Sequence, residues 1–185
     1  MSLVANLFQA LRLNEQGYRR LIDSNKSFRG GALVVGTVGL AYGLTNIILF
    51  RELLTMMSSR ASEITGALAI IMSGLSIAYL VHISVTLLVW AISKGFRGPG
   101  RFGLLYGNLG VAMAPLVFAV PLLNYLWLSG GSGVAYLLAA PFLAWLWVSL
   151  VQAIRATEGH SYGIATGVLA VTTIFTGCLL YLWLP

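Results

Sequence analysis

The chain runs to 185 residues, 58% of them hydrophobic and only 9% charged, with a net charge of +6 and a mean hydropathy of +0.88. A soluble domain carries roughly 25% charged residues, so this chain cannot cover a water-exposed fold and must be solvated by lipid. The positive charge does not point to nucleic acid: the basic residues flank apolar runs, with no consecutive basic block, where they set topology and meet lipid headgroups.

At about 20 residues per crossing the length allows four to six spans. The reading is an all-α, polytopic membrane bundle of about five transmembrane helices, with residues 1–29 as a polar arm and 30–185 as a single transmembrane domain. In the arm, Leu3, Val4, Leu7, Phe8 and Leu11 recur at helical spacing opposite Asn6, Gln9 and Arg12. This predicts an amphipathic helix, either lying in the interface or docked beneath the bundle. The arm has no short apolar core with a small-residue cleavage site, so the first span is expected to be an uncleaved anchor.

The predicted spans lie at about 31–50, 70–93, 102–128, 134–154 and 161–183. Arg51 and Glu52 end the first, and the mixed stretch 53–63 reads as a loop or a short interfacial helix. The apolar run from Ile64 to Ser93 is too long for one upright crossing, so it tilts or begins in the interface. The breaker Lys94-Gly95-Phe96-Arg97-Gly98-Pro99-Gly100-Arg101 stops it. Pro115 and Pro121 should kink the third span. The uncharged run Ser129–Gly133 is a turn, Pro141 falls near the start of the fourth span, and Arg155–His160 is a short polar link to the fifth.

Charge sets the orientation. Arg12, Arg19, Arg20, Lys26 and Arg29 precede the first span, Lys94, Arg97 and Arg101 follow the second, and Arg155 follows the fourth. The other side has only Arg51 and Arg60, offset by Glu52 and Glu63. By the positive-inside rule the N-terminus is in the cytoplasm, and an odd span count puts the C-terminus outside.

Glycine is abundant, with 21 residues. Gly39 and Gly43, Gly103 and Gly107, and Gly163 and Gly167 form small-residue pairs one turn apart, suited to close helix packing within the chain or to a dimerisation face. In the second span Ser76, Tyr79, His82, Thr86, Trp90 and Ser93 share an arc of roughly 120°. Lipid offers such a face no hydrogen bonds, so it should point into the bundle or toward a partner. His82, deep in that span, is either a neutral histidine bonded to a neighbouring helix or a site for a proton, a metal or a tetrapyrrole. His160 is too far along the chain's membrane axis to be its second ligand. The five acidic residues fall in loops or at span ends, Cys178 stands alone, and there is no Walker loop, GxGxxG, CxxC or HExxH. No catalytic residue, cofactor or metal site is predicted. Ser27 and Ser161, each followed by an aromatic and small residues, read as helix N-caps.

Several of these residues resemble those of the Yip (Ypt-interacting protein) domain family. They include the polar arm ending in an acidic residue before Ser27-Phe28-Arg29, and a second span closing on Leu88-Val89-Trp90 ahead of a Gly-rich basic loop. The third span with Tyr106 and Pro115, and the last one approached through Gly159-His160-Ser161, also fit. The resemblance implies five helices, a cytoplasmic N-terminus and a non-catalytic role in membrane traffic or shaping. Small-GTPase binding, known in eukaryotic members, is not expected here, because the long cytosolic N-terminal region is missing and the chain looks like prokaryotic members.

The leading expectation is a non-enzymatic protein of the prokaryotic plasma (inner) membrane. It would organise the bilayer or act as an accessory subunit, its partners being lipid, other membrane proteins or a second copy. Its contact surface would be the basic face of Lys94, Arg97, Arg101 and Arg155. Two rival classes are a small carrier or channel with a polar path through His82, Asn46 and Asn124, and a pigment- or cofactor-complex subunit with His82 as ligand.

Overall fold

The computed structural model describes residues 3–56, 59–128 and 133–183, and every element in them is an α-helix. In chain order these are α1 (Leu3–Leu11), α2 (Glu15–Asp23), α3 (Ser27–Leu49), α4 (Arg51–Thr55), α5 (Arg60–Gly95), α6 (Phe102–Ala112), α7 (Leu116–Leu128), α8 (Gly133–Glu158) and α9 (Tyr162–Trp183). The turn expected at Ser129–Gly133 lies, but for Gly133, outside the described residues.

Among these, Ser27–Leu49, Arg60–Gly95 and Tyr136–Glu158 are long and apolar enough to cross a membrane, and α6 with α7 makes a fourth such unit if the bent pair is one span. Tyr162–Cys178 is a shorter apolar helix. Large apolar side chains face outward along these helices, among them Leu33, Leu40, Leu44 and Ile48 on α3 and Leu68, Met72, Leu80 and Leu87 on α5. Water cannot solvate so much apolar surface, and lipid can. The chain has the build of a helical integral membrane protein.

α3 is the centre, packing against α5, α6 and α7, while α8 lies against α6, α7 and α9, and α9 also meets α5. The contacts are close because glycines meet backbone. A Cβ on Gly39 would come 2.9 Å from Leu75 Cα, and one on Gly43 would come 2.9 Å from Ile71 Cα. On the other side of α3, Gly31 abuts Gly107, and a Cβ on Gly107 would lie 2.5 Å from the Ser27 carbonyl carbon. Such contacts let dispersion and Cα–H contacts replace side-chain interlocking.

Three boundaries differ from the sequence expectation. The third unit is broken rather than kinked: α6 and α7 meet at 63°. Pro115 stands in the break, where tighter turns replace the helical ladder, the Ala114 amide donating to the Val111 carbonyl and the Leu116 amide to the Met113 carbonyl, whereas Pro121 sits inside α7 without interrupting it. α8 continues through Arg155 to Glu158, so the expected link shrinks to Gly159–Ser161, with Gly159 at φ +69° in the left-handed conformation that ends helices. α5 begins at Arg60, where Ser59 and Ser62 form a reciprocal capping box. Its 36 residues measure about 54 Å, well beyond a hydrocarbon core of about 30 Å.

The arm is docked beneath the bundle. α2 packs on α1, α8 and α6, burying Ala10, Tyr18 and Leu21 completely. Glu15 Oε2 lies 2.9 Å from Arg155 Nη2, and Trp145 Nε1 donates to the Leu11 carbonyl at 3.2 Å. Asn14 caps α2 by accepting from the Gln16 amide at 3.0 Å. Burial pushes the Tyr18 phenol above the ordinary tyrosine range, with the Ser149 hydroxyl beside it opposing the shift; neither hydroxyl closes a hydrogen bond of good geometry among the described residues.

Candidate functional site

Polar side chains concentrate at one end of the bundle, where α3, α6 and α9 begin and α5 and α8 end. Asn108 of α6, wholly buried, is the hub. Ser27 Oγ donates to its Oδ1 at 2.7 Å, and its Nδ2 donates to Thr157 Oγ1 at 2.9 Å. Thr157 in turn donates to the Ala153 carbonyl at 2.8 Å. Three helices are thus joined in a low-dielectric layer where each bond, once made, is costly to lose. Ser27 is the first residue of α3, not its N-cap, because its hydroxyl is committed to Asn108. Ser161 does cap α9, its Oγ accepting from the Ile164 amide at 3.5 Å.

The glycine-rich basic breaker is pinned, not loose. Trp90 Nε1 donates to the Gly100 carbonyl at 2.9 Å, and the Gly100 amide donates to Glu158 Oε2 at 3.1 Å. Gly100 has φ +65° and its missing Cβ leaves room for the Lys94 stem, whose ammonium stands 5.3 Å from the Trp90 ring centroid. Phe28 stacks on Tyr106 with centroids 5.3 Å apart, and Phe102 meets Trp90 edge-on at 6.2 Å.

Glu158 is only 3% exposed, and its Oε1 has no hydrogen-bond partner among the described residues. His160 is 9% exposed with Nε2 likewise unpartnered. A side chain on Gly98 would run into Glu158 Oε2 and come 3.2 Å from His160 Nε2, so glycine keeps the two groups in a shared space. Beside them opens a cleft of about 360 Å³ whose polar walls are Arg19, Asp23, Arg101, Thr157 and Glu158.

The predicted intramembrane face is brought together only in part. His82, Thr86 and Ser93 are fully buried. His82 Nε2 lies 2.9 Å from the Tyr106 carbonyl, and since a carbonyl can only accept, the ring donates there; its Nδ1 is buried without a partner among the described residues. Tyr79 is 37% exposed and donates to the Ala32 carbonyl of α3 at 2.8 Å. Ser76 does not point inward: it is exposed and turns back to its own helix, donating to the Met72 carbonyl at 2.9 Å. α3 crosses α5 through Gly74, Leu75 and Ala78, and Ser76 lies about 200° around the helix from Gly74.

The glycine pairs separate as well. Gly39, Gly43 and Gly107 pack against neighbouring backbone, but Gly103, Gly163 and Gly167 have nothing near the position of a Cβ among the described residues. α3 crosses α6 at Gly107 and Gly110, a turn beyond Gly103. Of the predicted basic face, Lys94, Arg97 and Arg101 are exposed. Arg155 instead anchors the arm through Glu15, with Gln152 Oε1 accepting from its Nη1 at 3.1 Å and the Tyr162 ring 5.7 Å away. Asn46 bonds the Tyr42 carbonyl of its own helix at 2.9 Å. No group of three or more His, Cys, Asp or Glu side chains gathers among the described residues. Sequence reasoning missed Asn108 and Glu158, although an asparagine in the apolar run Phe102–Ala112 is itself a signal.

Comparison with protein families, with curated proteins and with solved structures returns no match.

Proposed function

We propose that this is a non-catalytic, Yip-like integral membrane protein that works by association, with other membrane proteins or with copies of itself. In this reading it crosses the membrane five times, with α6–α7 as one broken span and α9 as the last. Its N-terminus and basic end face the cytoplasm, in a prokaryotic plasma membrane. The observation that carries the reading is the polar end of the bundle. Side chains that chemistry would need free, Ser27, Asn108, Thr157 and Trp90, are spent joining helices and pinning a loop. Around that rigid layer Lys94, Arg97 and Arg101 stay exposed, suited to steering an acidic partner surface.

Extraction in mild detergent and native sizing tests this. Recovery in a homo-oligomer or a larger assembly supports it, and deleting Met1–Leu13 should weaken that assembly while leaving insertion intact. A strictly monomeric protein that moves a solute across liposomes when purified alone would replace it with the carrier reading. The unpartnered Nδ1 of His82 favours a second reading, a cofactor-complex subunit; a native preparation carrying a pigment or metal that His82→Asn abolishes would establish that one.

A further inference from the structure

The cleft between α2, the Lys94–Arg101 loop and the end of α8 has the chemistry of a binding site rather than of a joint. Glu158 forms one wall, 97% buried by its 3% exposure, with Oε2 held by the Gly100 amide and Oε1 without a donor among the described residues. A buried carboxylate oxygen left without a donor is costly. The neighbouring acid, Asp23, is exposed and forms no ion pair among the described residues. Arg19 is already matched, its Nε and Nη2 donating to Glu15 Oε1 at 2.8 and 2.7 Å. Arg101, on the same cleft wall, is exposed and has no acidic partner among the described residues. The walls of one cleft therefore carry two carboxylates and one guanidinium that form no ion pair among the described residues. The volume of about 360 Å³ falls in the range of roughly 300–1,000 Å³ typical of small-ligand sites.

The level of the cleft narrows the ligand further. It sits where α6 starts and α8 stops, with Trp90, Phe102 and Tyr162 at the same ends of their helices, the aromatic belt of a membrane interface. We infer that the cleft binds a phosphate ester carrying a primary ammonium group, as in an ethanolamine- or serine-type headgroup. Arg101 holds the phosphate, with Arg19 beside it, and Glu158 and Asp23 take the ammonium. The ammonium must carry N–H donors, because Glu158 Oε1 and Asp23 each need one; a primary ammonium supplies them and a quaternary choline cannot. Gly98 keeps the carboxylate pocket open, since a side chain there would displace Glu158 Oε2. The inference holds whichever way the bundle faces and does not rest on the association reading.

Binding is measured on the full chain purified in a neutral detergent, by tryptophan fluorescence titration and thermal protection. The probes are short-chain phosphatidylethanolamine, short-chain phosphatidylcholine, soluble phosphoethanolamine and inorganic phosphate. Saturable protection by phosphatidylethanolamine, at least tenfold stronger than by phosphatidylcholine, is expected. R101Q and D23N, both at exposed positions, should each weaken it by about tenfold or more, the usual loss for a charge-assisted hydrogen bond. E158Q should do the same, and if it fails to fold the two exposed variants still decide. Phosphoethanolamine as strong as the lipid identifies a free phospho-amine as the ligand source, and protection by the lipid alone identifies the headgroup; both uphold the chemistry. Equal protection by phosphatidylcholine or by inorganic phosphate, or unchanged binding in R101Q and D23N, overturns it.

Discussion

Replacing Gly107 by alanine adds one methyl group where α3 and α6 touch backbone to backbone. That carbon would lie 2.5 Å from Ser27 Oγ and 2.6 Å from the Phe28 amide nitrogen. Comfortable carbon contacts begin at about 3.5 Å, so the helices must part by roughly 1 Å along a crossing that also contains Gly31 and Gly110. Overpacking of this kind costs about 1–3 kcal/mol, and the better helix propensity of alanine returns about 1 kcal/mol. The Ser27–Asn108 bond is strained at the same stroke, so the net loss should be about 1–2 kcal/mol. Gly167→Ala is the internal control. Among the described residues nothing lies near its Cβ position, so only the propensity term acts and the variant should match or exceed the parent by up to about 1 kcal/mol. Reversible unfolding in mixed micelles with rising dodecyl sulfate, followed by tryptophan fluorescence, reads both. If the two variants unfold together, the glycine-mediated α3–α6 crossing is wrong.

Three further outcomes are expected. His82→Gln should cost about 1 kcal/mol or less in the same assay, the usual worth of one interhelical bond in a membrane; collapse of the fold would mean that His82 does more than meet the Tyr106 carbonyl. Asn108→Leu strips Ser27 and Thr157 of a shared partner and should cost about 1–3 kcal/mol, so a neutral result would show that the hub contributes nothing. Arg155→Gln removes a partly exposed ion pair worth about 1 kcal/mol or less. It should leave global unfolding nearly unchanged yet speed hydrogen exchange in α2; unchanged exchange would mean that the Glu15 contact does not hold the arm.

Much of this architecture is legible from residue order, because hydropathy and breakers act locally. The apolar runs, the stop at Lys94–Arg101 and the gathering of basic residues at one end need no knowledge of neighbours. What sequence spacing cannot supply is which neighbour a face meets. Ser76 and His82 share an arc of α5, but α6 reaches only His82, so one is buried and the other is not. Gly103 and Gly107 form one motif, yet the crossing with α3 touches only the second. Ser27 has the look of a cap until Asn108, 81 residues later, takes its hydroxyl. Glu158 reads as a link residue because nothing local reveals that α8 continues to it and that Gly100 turns an amide toward it. Pro115 and Pro121 are alike as residues, but the chain breaks only at Pro115.

The proposed topology places the docked arm and the pinned basic end on one side of the membrane and the end of the last helix on the other. It is tested in intact cells with Cys178, which is exposed, first changed to serine. Single cysteines are then introduced at Phe8 in the arm, at Phe96 in the basic loop, and appended after Pro185. Five crossings with a cytoplasmic N-terminus require that an impermeant maleimide label only the appended cysteine, with Phe8→Cys and Phe96→Cys reacting after permeabilisation. Labelling of the arm and the appended cysteine from the same side would mean an even number of crossings and would contradict the account.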